Sequence, residues 1–262
     1  VFTTYHPTCL REGFVAEGVV DIQSNNTYSN GFCIHSNSYV SLNSNNYFEP
    51  GTIVSMTNLD DIQLPNSGYD SNTGLSDALR EGSWNIRVIN RIDDLIAGLL
   101  SFDPNYLPSY ITSNAARVFP TRNVTQADLI EHKLHTYTCS GGAALTIKSD
   151  VTVKNVVIVT SCAIKFEQGV KVINSVIAST NTSSQSMSAS SGLQVGLNDN
   201  CAEGGGSQLV TQGSMKFPSA LKIYGGQLLA KHDISFSANA DGIQGAAIVA
   251  GGEISGTSNM SM

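Results

Sequence analysis

Few residues in this chain have types and spacing suited to chemistry. Glu131, His132 and His135 set two imidazoles three positions apart beside a carboxylate. A zinc site needs three or four such ligands, and no HExxH occurs, so the group reads as a surface pair and no metal is expected. Asp60-Asp61 and Asp93-Asp94 are adjacent in sequence, so their side chains diverge or share a solvated helix face. Glycosidases need two carboxyls facing each other across the scissile bond, and calcium-dependent lyases need several around a hard cation together with a base. The other carboxylates, Asp150, Glu167, Asp199, Glu203, Asp233, Asp241 and Glu253, are spread along the chain without such a pairing. GxSxG, a Cys-His nucleophile pattern and GxxxxGK are missing from the sequence, and Gly204-Gly205-Gly206 lacks the lysine of a phosphate loop. No catalytic residue and no cofactor is expected.

Tyr69, Trp84, Tyr106 and Tyr110 fall in one stretch and are the candidate binding residues, as aromatic rings that could stack on a sugar. For Trp84 a place in the core is the commoner role. Asn-x-Ser/Thr occurs at Asn25, Asn123, Asn181 and Asn259, matches that chance supplies in a chain with 22 asparagines.

Five cysteines, Cys9, Cys33, Cys139, Cys162 and Cys201, show no CxxC and no histidine at zinc-finger spacing. By chain position Cys9 pairs with Cys33 before the first repeat. Cys139 pairs with Cys162, one circuit of the repeat apart, and Cys201 is left unpaired here with a partner beyond this chain. Disulfides place the protein in an oxidising, extracytoplasmic compartment, at a cell surface or secreted. The alternative is buried free thiols in a cytosolic protein.

These groups must be held by something, and composition limits what. The 262 residues are 41% hydrophobic, enough for a substantial core, but only 13% charged. Gly, Asn, Ser and Thr fill the polar positions, which suits turn-rich β structure and excludes a helix bundle. The net charge is −7 and the lysines and arginines are scattered in sequence, so nucleic acid binding is not expected. No run approaches the ~20 apolar residues of a membrane span.

A repeat supplies the scaffold. Leu145-x-Ile147-x3-Val151-x-Val153, then Asn155 and Val157-Ile158, recurs 19 residues later as Ile164-x-Phe166-x3-Val170-x-Val172, Asn174 and Val176-Ile177. Further copies begin at Met187, Met215 and Ile234, with the middle columns decaying to Ala240 and Gly242, and a half-copy runs from Ile254 to Met262. An isolated copy lies upstream at Ile34, Val40, Leu42 and Ile53-Val54. Alternate apolar residues point to one face of a strand, and two or three short strands per repeat close a coil whose inner face is buried only by stacking. The fold expected is mostly β: a right-handed parallel β-solenoid with a small α-helical insertion. Rungs ~4.8 Å apart put Ile147, Phe166, Phe217 and Phe236 in one internal stack and Asn155 beside Asn174. Extra residues at 180–184 and 198–206 read as loops at a corner.

Three parts follow. Residues 1–56 form an amino-terminal segment with a first rung, 57–136 a partly helical insertion, and 137–262 the coils. Within the insertion Asp77–Arg80 reads as a short helix. Ile89, Ile92, Leu95, Ile96 and Leu99 recur at helical spacing up to Asp103-Pro104, and a second short helix is expected over Gln126–Lys133. With Pro65, Pro104, Pro108 and Pro120 around them, these segments are expected to pack on the solenoid or cap an edge.

Three phrases carry a family resemblance: Gly68-Tyr69-Asp70-Ser71-Asn72-Thr73-Gly74-Leu75 through Arg80, Asn198-Asp199-Asn200-Cys201-Ala202 through Gly206 to Thr211, and Phe236-Ser237-Ala238-Asn239 to Gly251-Gly252. Over about residues 31–262 the chain resembles the surface region of TadG-like proteins, associated with the tight-adherence (Tad) pilus of alphaproteobacteria. The resemblance implies the exported part of a membrane-anchored protein acting in pilus assembly or adhesion.

The expected function is therefore a non-enzymatic surface module, with pilus or cell-surface components, a glycan or a host receptor as partner. The alternative is a polysaccharide-active enzyme, lyase or glycosidase-like, on the same scaffold. The start at Val1 and the stop at Met262 within a repeat suggest a piece of a longer protein. The Met262 end is expected to present unpaired strand edges and to self-associate through that open end.

Overall fold

The structure, a computed structural model, describes residue 9 and residues 12–200, 206–257 and 259–262, with the backbone alone at 239–241. It is mostly β, with few and short helices and large parallel sheets. The first sheet has eleven strands, the second twelve and the third three. Successive circuits of the chain add one strand to the first sheet and one or two to the second, each pairing in parallel with its counterpart in the next circuit.

The repeat's leading apolar column is continuous in register: Leu145, Ile164, Met187, Met215, Ile234, Ile254, Val20 and Val40. All eight are buried. Two positions on, Ile147, Phe166, Phe217 and Phe236 are buried as well, and Ala189 lies against Phe166 in that column. Because Ala189 is small, the rings of Phe166 and Phe217 reach across it to a centroid distance of 6.4 Å. Gly256 does the same for Phe236 and Ile22, whose side chains occupy the space its Cβ would need. Large and small residues thus alternate along the stack, which keeps the interior close-packed.

Asparagine makes the corners. Asn25, Asn45, Asn155 and Asn174 have φ of 61°, 61°, 51° and 44°, the left-handed region that asparagine tolerates better than other side chains. Asn174 Nδ2 donates to Asn155 Oδ1 at 2.6 Å. Inside the third sheet a second ladder runs through Asn26, Asn46 and Asn72, each side-chain amide donating to the next Oδ1 at 3.0 Å.

Chain order along the first sheet breaks once. The strand Ala247–Ala250 is followed by Gly13–Ala16, then by Cys33–Ser36, Ile53–Met56 and Leu79–Glu81, while the opposite end is Arg117–Val118. The amino-terminal circuits therefore sit on the carboxy-terminal one, and the copy at Ile34–Val54 belongs to this end. The expectation of unpaired edges at Met262 is corrected by this arrangement. Met262 N–H donates to Thr27 at 2.9 Å and the Met262 carbonyl accepts from Ser29 N–H at 2.8 Å, so the chain covers this edge itself and self-association through it loses its basis.

The stretch 57–136 gives strands at both margins, Asn72–Thr73 and Leu79–Glu81 at one end of the stack and Arg117–Val118, Asn123–Val124 and Leu134–Tyr137 at the other. Residues 82–116 connect the two ends along the outside as a strap. Its helix Ile92–Leu100 buries Ile92, Ile96 and Leu99 against the outward apolar residues Val159, Ala178, Val210, Leu229, Val249 and Val15 of the first sheet. The strap thus packs on a sheet face and not over an edge. This explains the repeat's doublets: in Leu209-Val210 one residue fills the interior and the next lies under the strap. Each fully buried side chain contributes about 1.5–3 kcal/mol.

Two helix expectations are corrected. The first short helix is Leu75–Ala78, not 77–80, because Leu79 already pairs with Val54 as a strand. Over 126–133 only the 3-10 turn Gln126–Asp128 forms, with a Thr125–Asp128 capping box. His132 at φ 64° and the pairing of Leu134 with Val157 turn the remainder toward the sheet.

Cys9 is bonded to Cys33 and Cys139 to Cys162. Leu134 pairs with Val157 and Tyr137 with Thr160, so Cys139 and Cys162 lie just beyond paired strands of neighbouring circuits, at a Cα separation of 5.1 Å. The Cys201 expectation lies outside the described residues. Among the described residues no helix is long and apolar enough to cross a membrane.

Candidate functional site

The four candidate aromatics do not converge. Tyr69 stands exposed in the 3-10 turn Gly68–Ser71. Trp84 opens the strap and stacks on His35, ring centroids 3.7 Å apart and planes 3° from parallel. Its backbone is held from both sides by Asn37, whose Nδ2 donates to the Trp84 carbonyl while its Oδ1 accepts from the Trp84 N–H, each at 2.8 Å. Trp84 therefore fixes the strap to the stack. Tyr106 packs on the helix at Gly98, where a Cβ would strike its ring.

Tyr110 borders a groove. Lying between the end of the strap and a corner of the stack, the groove encloses about 460 Å³ and is lined by Pro108, Tyr110, Gln208, Gln227, Gly225 and Gly226, among others. Burial pushes the Tyr110 phenol well above its ordinary pKa, and its hydroxyl bonds to the Val176 backbone. Gln208 Nε2 donates to Gln227 Oε1 at 2.7 Å across one circuit. Successive corners end in glycines, and a Cβ at Gly225 would meet nothing within 4 Å, so the floor is smooth and open. Beyond Gly245, another lining residue, the Glu12 carboxyl is raised by burial and partly offset by a hydrogen bond from the Gly245 backbone. The groove thus offers amides and a ring face, with the raised carboxyl of Glu12 beyond its lining.

The metal reading of His132 and His135 separates in space. His132 Nδ1 faces the Tyr110 carbonyl at 2.9 Å, whereas His135 is buried and stacked on Phe119. Glu131 accepts from Asn155. Asp93 takes Lys231 and Gln212 and so pins the strap to the sheet. Among the described residues no three of His, Cys, Asp and Glu are grouped to hold a metal ion.

Sequence reasoning passed over Gln208 and Gln227, although their spacing of 19 residues is the repeat period. Glu12 carried no sequence signal, because what brings it to the groove is the seating of the amino-terminal circuits beside residues 245–250.

Residues 13–262 match the family model DUF7867, described as a domain of unknown function. No curated protein and no solved structure matches the chain.

Proposed function

We propose that this chain, which belongs to the DUF7867 family over residues 13–262, is a non-enzymatic extracytoplasmic module whose sheets are the faces of a right-handed parallel β-solenoid. The observation that carries the reading is the pair of disulfides, Cys9–Cys33 and Cys139–Cys162, one near each end of the strap's span. Disulfides persist in oxidising compartments, and a rod stapled in this way resists unfolding outside the cell. The resemblance to TadG-like surface regions narrows the proposal to Tad-type pilus assembly or adhesion, with pilus components, a glycan or a host receptor as partner.

Surface labelling tests it. On intact cells expressing the full-length protein, an antibody to this region should bind and added protease should remove the signal. Labelling only after lysis would overturn the reading.

One observation favours the alternative, a polysaccharide-active enzyme: Glu12 is a carboxyl raised by burial beside the groove, as a general acid requires. Glycosidic chemistry needs a second carboxyl facing it, and among the described residues the groove's lining includes none. Release of new reducing ends from polysaccharide, lost in Glu12→Gln, would establish the enzyme.

A further inference from the structure

The register gathers lysines that are scattered in sequence. On the outer side of the second sheet one column runs Thr146, Lys165, Ser188, Lys216, Ser235. The neighbouring column runs Thr152, Lys171, Gln194, Lys222. The strand Met215–Tyr224 passes through both, exposing Lys216 and Lys222 while Phe217 and Leu221 between them are buried, and the left-handed residues Asp150, Gly169, Gly192 and Ala220 mark one corner that the two columns flank on successive circuits. In each column lysine recurs at every second strand, which sets the ammonium groups roughly 10 Å apart along the stack, twice the ~4.8 Å strand spacing.

Among the described residues none of these four lysines has a carboxylate within ion-pair distance. Glu167, in the turn between the columns, is occupied by Lys148 at 2.6 Å and by Ser149. Asp150 stands in the same corner between the columns, over Gly169. On a chain of net charge −7, an unneutralised basic strip is a place where a polyanion replaces the missing partners.

We propose that this strip binds an extended carboxylate-bearing polysaccharide, a polyuronate, laid along the axis of the stack. The inference rests on the surface-module reading and names its ligand class. Two strand spacings correspond to about one disaccharide unit of an extended chain, so alternate uronate groups meet successive lysines. Between the lysines stand Ser188 and Gln194, and beyond Lys216 stands Ser235, hydroxyl and amide groups that suit sugar hydroxyls. Single-stranded nucleic acid would call for aromatic platforms interleaved with the cations, and the columns carry none between their lysines.

The test measures binding of the whole chain to immobilised polygalacturonate, with dextran and double-stranded DNA as comparators. The wild type should be retained on polygalacturonate, weaken as salt is raised, and ignore dextran. The variant K165Q/K171Q/K216Q/K222Q should bind about tenfold or more weakly, with an unchanged circular dichroism spectrum. The control R80Q/R87Q/R91Q/R117Q removes the same charge elsewhere and should stay within about twofold. Equal losses in the two variants, no retention on polygalacturonate, equal retention on dextran, or tighter binding to DNA would each overturn the proposal. Surface labelling of intact cells is independent of these results, so a failure here is distinguishable from failure of the module reading.

Discussion

The backbone N–H of Ser29 donates to the carbonyl of Met262 at 2.8 Å, joining residues 233 positions apart. The last circuit is thereby held between two others, and Met260 and Met262 are buried like central core residues. Met260→Ala should cost ~2–5 kcal/mol in urea unfolding, as removal of a buried methionine side chain does. A loss below ~0.5 kcal/mol, typical of a surface site, would mean that this edge is open.

Phe217→Ala should cost ~3–5 kcal/mol, because the ring touches Phe166 across Ala189 and nothing flexible can refill the space. Paired with Ala189→Val, which adds volume at the same column, the loss should be partly recovered. Strict additivity of the two changes would deny that the residues share one space.

Asn46 is buried, and it serves Asn26 as acceptor while donating to Asn72. Asn46→Ala strands polar groups on both neighbours, at ~1–3 kcal/mol for each buried group left unpaired. Asn46→Asp keeps the acceptor but loses the donor and should be destabilised as well. The measurement is the denaturation midpoint of each variant against wild type.

Acid should weaken the fold through its histidines. Asn37 donates to the Trp84 carbonyl through Nδ2, so its Oδ1 is an acceptor, and His35 Nε2, 2.9 Å away, must carry a hydrogen. In the neutral ring Nδ1 accepts from Ser55 at 3.1 Å. Burial lowers His35 and His135 to about 4 from an ordinary 6.5. Each folded pKa lies below its unfolded value, so the unfolded chain binds more protons between about pH 6.5 and 4. This stability is fully present above about 6.5 and is lost progressively down to about 4. Urea midpoints taken across that range should fall, and H35Q should show a shallower fall than wild type; equal slopes would contradict the assignment.

The interior was legible because a repeat of alternating apolar residues states its own register: Leu145, Ile164, Met187 and Met215 are column partners in sequence and in space. The stacking order was not. Phe14, Val20 and Ile22 repeat the offsets of Ile34, Val40 and Leu42, but periodicity carries no information about which circuits adjoin when the chain doubles back through a strap. The same gap hid the groove, since Tyr110 and Glu12 reach it only by that folding back. Lysines at 165 and 216 looked scattered because loops of unequal length between the circuits break the 19-residue period.

Everything said of the seam, the strap and the groove depends on the amino-terminal circuits lying on the carboxy-terminal one. Asp21 and Ser255 are register partners across that seam, at a spacing a disulfide can bridge. The direct measurement is non-reducing peptide mapping of the monomeric Asp21→Cys/Ser255→Cys variant. A Cys–Cys link between positions 21 and 255 within one chain, with Cys9–Cys33 and Cys139–Cys162 retained, is the predicted result. A link formed only between chains, or none under oxidising conditions, would contradict the stacking order.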